Sequence, residues 1–155
     1  MPAIAPGYLY TFFAIIAVIS ILLVSFTGYV SAIRLSSEMG KLKDLVDLVA
    51  AKSTELINLA KAANTTAETF IHAPLAIGNR QYWLVLGNDS SRVWAEGGFG
   101  STPIEKAGIR VYLLSTALAY GHYVSGYGAI LLKCSMNQEA GIPKVQLSSS
   151  SQNGE

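Results

Sequence analysis

What most constrains this chain is a gap in its charge. No Asp, Glu, Lys, Arg or His occurs among residues 1–33, and every charge of the 155-residue sequence lies from Arg34 onward. Within the gap, residues 8–33 read YLYTFFAIIAVISILLVSFTGYVSAI, 26 positions against the roughly 20 that a helix needs to cross a hydrocarbon core. The run predicts a transmembrane helix. Pro6 and Gly7 mark its start, and Tyr8, Tyr10 and Tyr29 fall where the two headgroup layers would favour an aromatic ring with a polar tip. A cleaved signal peptide is the competing reading, but it would carry a basic stretch before an apolar run of roughly 7 to 15 residues. Neither feature is present.

The gap lowers the charged share of the whole chain to 14%, about half of what globular proteins carry. With 11 basic and 10 acidic residues the net charge is +1, so no clustered positive field is available for a phosphate backbone. Membrane lipid is an expected partner and nucleic acid is not. Orientation is contested. Arg34, Lys41, Lys43 and Lys52 follow the apolar run, and the positive-inside rule would keep them cytoplasmic. Two acceptor triplets for N-glycosylation, beginning at Asn64 and Asn88, point the other way, as does a remainder rich in Gly, Tyr and strand-forming residues. The expectation adopted is a single-pass protein of the cell membrane with its C-terminal part outside.

Past Arg34 the helical signal continues. Met39, Leu42, Val46, Val49, Ser53, Leu56, Ala60 and Ala63 recur at alternating steps of three and four, a heptad seam. Leu45, Leu48 and Leu59 widen it, and lysines and acidic residues occupy the other side. One reading lays this amphipathic half on the domain that follows. The other packs it against the same helix of neighbouring subunits or against a partner helix. Gly28 and Gly40 lie inside the run and are expected sites of a bend or a close backbone contact.

Asn64-Thr65-Thr66 closes the helical pattern, and Pro74, Gly78 and Asn79 punctuate a change to strand-like composition. Strands are expected over 81–86, 92–96, 109–114, 120–124, 129–136 and 144–147. The first two form the best hairpin, around Gly87-Asn88-Asp89-Ser90. The expected fold class is α+β, with a long N-terminal helix followed by a small antiparallel β-sheet or β-sandwich. The expected divisions are an anchor at 1–33, an amphipathic continuation at 34–63, a β-rich domain at 64–147 and an apolar-free mobile tail at 148–155.

Few residues suggest chemistry. His72 and His122 lie far apart in sequence, in no metal motif, and the lone Cys134 sits in a strand-like run where a buried thiol is the ordinary outcome. Gly97-Gly98-Phe99-Gly100 lacks the lysine of a phosphate loop and reads as a flexible turn. No enzyme, cofactor or metal is expected. Tyr112, Tyr120, Tyr123 and Tyr127, interspersed with Gly121, Gly126 and Gly128, could pack a core or form an aromatic contact surface.

An uncharged N-terminal helix, its amphipathic continuation and a compact β domain together resemble the type IV pilin-like proteins, including archaeal pilins and archaellum-associated membrane proteins. The resemblance implies that residues 8–33 bundle in a membrane or filament core, that 39–63 form the lower helix and that 81–147 form an outward-facing head. Two departures stand beside it. Residues 1–7, MPAIAPG, have no basic leader, and the acidic residue that bacterial pilins carry near the mature start is missing. The resulting expectation is a structural or assembly protein of the cell surface that acts by self-association or by docking to a filament or envelope complex. The alternative is an anchored extracytoplasmic module that binds a glycan, peptide or protein through its tyrosine-rich β domain.

Overall fold

The computed structural model describes residues 5–89, 92–102, 108–136 and 141–150, with the side chains of the first helix described from residue 7. Two compact units divide the chain, Met1–Glu38 and Met39–Glu155. Helix α1 (Ala5–Ala63) contributes to both. No proline follows Pro6 before Pro74, so nothing in the sequence removes an interior backbone donor from this helix. It ends where Asn64 takes a left-handed conformation at φ 48°, the position just past a helix end that Asn and Gly tolerate. A Cβ built on Gly28 or Gly40 would meet nothing within 4 Å, so neither glycine makes a close contact within the chain.

In the first unit every described side chain from 7 to 37 is exposed. The second unit adds seven strands: β1 (Ala67–Ile71), β2 (Tyr82–Asn88), β3 (Val93–Phe99), β4 (Ile109–Tyr112), β5 (Leu118–Val124), β6 (Ile130–Met136) and β7 (Pro143–Ser149). They form one sheet in the order β1-β6-β7-β5-β2-β3-β4. Every pairing is antiparallel except β5 with β7. The layout is α+β, and the described residues form a single open sheet and no sandwich. A second sheet is unnecessary because the helix supplies the covering layer.

Strand register sorts the side chains onto two faces, since neighbours along a strand alternate and cross-strand partners share a side. Tyr82, Leu84, Leu86, Ala95, Tyr123, Val145, Leu147, Leu132 and Cys134 share one face and are buried in a cluster with Leu42, Val46, Val49, Ile57 and Ala60 of α1. This is the core of the head. Gly97 marks a point of close approach. A Cβ there would come 2.6 Å from Val46 Cγ2 and 2.9 Å from Leu84 Cδ2. The Gly97-Gly98-Phe99 run therefore belongs to β3, correcting the flexible turn expected, and its small residues make room for what packs against them.

Strand β5 pairs by its first half with β7 and by its second half with β2. At the changeover stands Gly121, at φ 112°, where a side chain would collide with the Leu147 carbonyl oxygen. Only glycine suits that combination. The C-terminal strand β7 thus lies between β5 and β6, inside the sheet, and it runs through Ser149. Residues 148–150 do not belong to the tail expected from 148 onward: β7 includes Ser148 and Ser149, and Ser150 donates its amide to Ala129 O at 2.9 Å. Residues 151–155 lie outside the described residues. β1 has no counterpart among the expected strands. Its AETFI sequence alternates half-exposed and exposed positions until Ile71, as an edge strand does, and so lacks a continuous apolar signal.

Candidate functional site

Three surfaces expected from sequence can be located. The seam comes first. Leu42, Val46, Val49, Ser53, Leu56 and Ala60 are all buried, and Leu45, Ala50 and Ile57 widen the buried stripe, while Met39 and Ala63 at its two ends are exposed. Leu48 and Leu59, expected to widen the seam, remain exposed. Ile57 and Ala50 were missed because a strict heptad seam is narrower than the stripe that a helix lays on a sheet. The seam therefore faces the head's own sheet, and a neighbouring helix finds those six residues already covered. Ser53 Oγ is buried there without a hydrogen-bond partner. The far side of the helix carries exposed ion pairs, Lys43 to Asp47 at 3.2 Å and Lys52 to Glu55 at 2.7 Å, of the kind that contribute a few tenths of a kcal/mol.

The apolar run is the second surface. It is long and apolar enough to cross a membrane. Its large side chains, from Tyr8 through Phe13, Ile19 and Val24 to Ile33, are exposed on every side of the helix. The hydroxyls of Thr11, Ser20, Ser25, Thr27 and Ser31 each donate to a carbonyl one turn back in the same helix, at 2.8–3.1 Å. All the serine and threonine hydroxyls between 8 and 33 are thus satisfied without water.

The tyrosine group is the third, and the structure divides it. Tyr123 is buried on the core face beside Tyr82, with ring centroids 6.4 Å apart, and donates its hydroxyl to Gly128 O at 2.8 Å. It is a core residue whose edge reaches the hollow beside Tyr127. Tyr112, Tyr120 and Tyr127 are exposed. Tyr112 and Tyr120 share the outer sheet face with Trp94, Glu96, Arg110 and His122. On that face cations lie over the rings: Arg110 over Trp94 at 4.7 Å, Lys144 over Tyr120 at 4.6 Å and Arg92 over Tyr112 at 5.6 Å. Arg110 also donates to Glu96 Oε2 at 2.7 Å, and that hydrogen bond raises the guanidinium pKa. Tyr127 stands apart, in the wall of a hollow of about 380 Å³ that Gln81, Ser101, His122, Tyr123, Val124 and Ser149 also line.

Both glycosylation candidates are exposed, Asn64 at the helix end and Asn88 at the end of β2; the Ser90 of the second triplet lies outside the described residues. His72 is exposed after β1, and His122 is on the outer face. Cys134 pairs with Val145 on the core face, so the sheet separates it from His122. Burial pushes the Cys134 thiol up, with Lys61 opposing. Burial also raises the phenols of Tyr82 and Tyr123, and the neighbouring Tyr123 adds to the shift of Tyr82. Among the described residues no three His, Cys, Asp or Glu side chains converge as metal ligands would. Compared with known proteins, the chain matches no family model, no curated protein and no solved structure.

Proposed function

We propose that this is a membrane-anchored, pilin-like structural or assembly protein of the cell surface, held in the bilayer by residues 8–33, with the sheet-bearing head displayed outside. One observation carries the reading: the exposure of every large apolar side chain from Tyr8 to Ile33, all round one helix. Soluble proteins rarely expose contiguous apolar patches beyond a few hundred Å². The internally satisfied hydroxyls add support, because a polar group left unpaired in hydrocarbon costs several kcal/mol. Association between copies, or with a partner helix, is assigned to this same stretch, since the seam at 42–60 is covered by its own head.

Cysteine scanning tests the assignment. In a Cys134→Ala background, single cysteines placed along 12–30 should cross-link between copies in native membranes on one helix face, at steps of three and four. An absence of cross-links at every position would remove self-association. Labelling of Thr65→Cys on intact cells by a membrane-impermeant thiol reagent supports an external head, and labelling only after lysis reverses the orientation. A second reading, the anchored binding module, is favoured by the exposure of Tyr127 beside its hollow.

A further inference from the structure

We propose that the hollow beside Tyr127 is a binding site for a neutral carbohydrate residue. It lies at one end of the sheet, where β5 and β7 end, β2 begins and the chain leaves β3. Its volume of about 380 Å³ is in the range of small-molecule sites. Gln81, Ser101, Tyr127 and Ser149 contribute amide and hydroxyl donors and acceptors, and no Asp, Glu, Lys or Arg is among the described lining residues. Such a lining has no field with which to select an ion. It can exchange hydrogen bonds with several hydroxyls, because an amide and a hydroxyl each both donate and accept.

The aromatic partner is fixed in advance. Tyr127 is 62% exposed, yet the loop that carries it is tied down on both sides. Tyr82 donates its amide to Ser125 Oγ at 3.0 Å and accepts from the Ser125 amide at 2.9 Å. Gly128 O accepts from the Tyr123 hydroxyl, and Ala129 exchanges two bonds with Ser150 at 2.9 and 3.0 Å. Gly126 and Gly128, at φ 98° and 91°, set the turn between these anchors. An exposed ring on a loop held this way has little ordering cost left when a ligand arrives. A sugar ring offers what such a site lacks, an apolar C–H face for the phenol and a rim of hydroxyls for Gln81, Ser101 and Ser149. Tyr123 also lines the hollow, and its hydroxyl is occupied in holding the loop through Gly128 O.

Saturation-transfer NMR on the full chain in a phosphocholine detergent tests this, since a sugar-headed detergent would compete. The probes are the methyl glycosides of glucose, mannose, galactose and N-acetylglucosamine. Transfer to the ring protons of at least one is expected. Tyr127→Ala should weaken that binding by about tenfold, the loss of one well-made aromatic contact, and Tyr112→Ala, which removes an exposed ring elsewhere on the head, should leave it unchanged. Unchanged near-ultraviolet circular dichroism would show that Tyr127→Ala keeps its fold, and Tyr127→Phe should retain binding. No transfer to any of the four glycosides would overturn the proposal, as would transfer indifferent to Tyr127→Ala. Stronger transfer to glucuronate or glucosamine than to the neutral glycosides would overturn it as well. None of these readings depends on whether residues 8–33 associate.

Discussion

Trp83 stands directly opposite Gly98 across the β2–β3 pair, and its indole fills the space a side chain on Gly98 would need, with Cε2 2.7 Å from the position of such a Cβ. The arrangement is reciprocal. Gly87 of β2 faces Trp94 of β3, whose ring lies 3.0 Å from the corresponding point. Two tryptophans are thus seated on two glycines of the opposing strand, and the outer face of the hairpin is built from them.

Gly98→Ala should therefore destabilise the head by about 1–3 kcal/mol, the usual cost of overpacking. Gly87→Ala should cost less, because its closest contact is longer. Thermal unfolding of the detergent-solubilised chain, followed by tryptophan fluorescence, gives both values and their order.

Leu42→Glu and Val49→Glu distinguish a seam that belongs to the head from one that joins subunits. Both side chains are buried among the core residues of the head, where an unpaired carboxylate costs several kcal/mol or forces protonation. Each variant should lose near-ultraviolet circular dichroism at pH 7. A folded head with altered oligomer size would instead return the seam to an intermolecular role.

Ser53→Ala should be neutral or stabilising by up to about 1 kcal/mol, since it removes a buried oxygen that has no partner and substitutes a better helix former. Urea denaturation of the two chains side by side measures the difference.

Alkaline pH should weaken the head. Cys134 and Tyr82 are acids whose pKa values are raised by folding, so the unfolded chain gives up its protons first, near the ordinary 9.0 and 10.0. Above those values the native state holds more protons than the unfolded one, and stability falls as pH rises. Below about pH 9 both contributions are fully present. Tyr82→Phe loses the hydroxyl bond to Pro74 O, 2.6 Å long, and should cost about 1 kcal/mol at pH 7. Its decline between pH 10 and 12 should be shallower than that of the parent chain. Urea midpoints measured from pH 7 to 12 provide the comparison.

How much of this could be read beforehand depended on whether a signal was local. The charge-free run and the helix beyond it are periodic over many turns, and β2 to β7 each carry a compact apolar stretch, so their existence was legible. Which side of the heptad seam would be covered was not, because Val46 meets Gly97 only after some fifty intervening residues have folded back. Gly97 and Gly98 looked like a turn because glycine has the same letter whether it bends a chain or makes room for a ring. The clue was nevertheless present: Trp83 precedes Gly87 by four residues and Trp94 precedes Gly98 by four, and antiparallel pairing brings each tryptophan onto the other strand's glycine. Tyr123 could not be told from Tyr120 and Tyr127 by type alone. Its strand register decides the face. The hollow's Gln81, Ser101 and Ser149 come from three separated segments and left no motif to find.

Flotation of the purified chain with phospholipid vesicles tests the membrane assignment most directly. The intact chain should rise with the vesicles and stay with them through alkaline carbonate washing, and a chain carrying Ile19→Arg and Leu22→Arg should remain at the bottom of the gradient with its head still folded. Recovery of the intact chain in the lipid-free fraction, soluble and monodisperse, would contradict it.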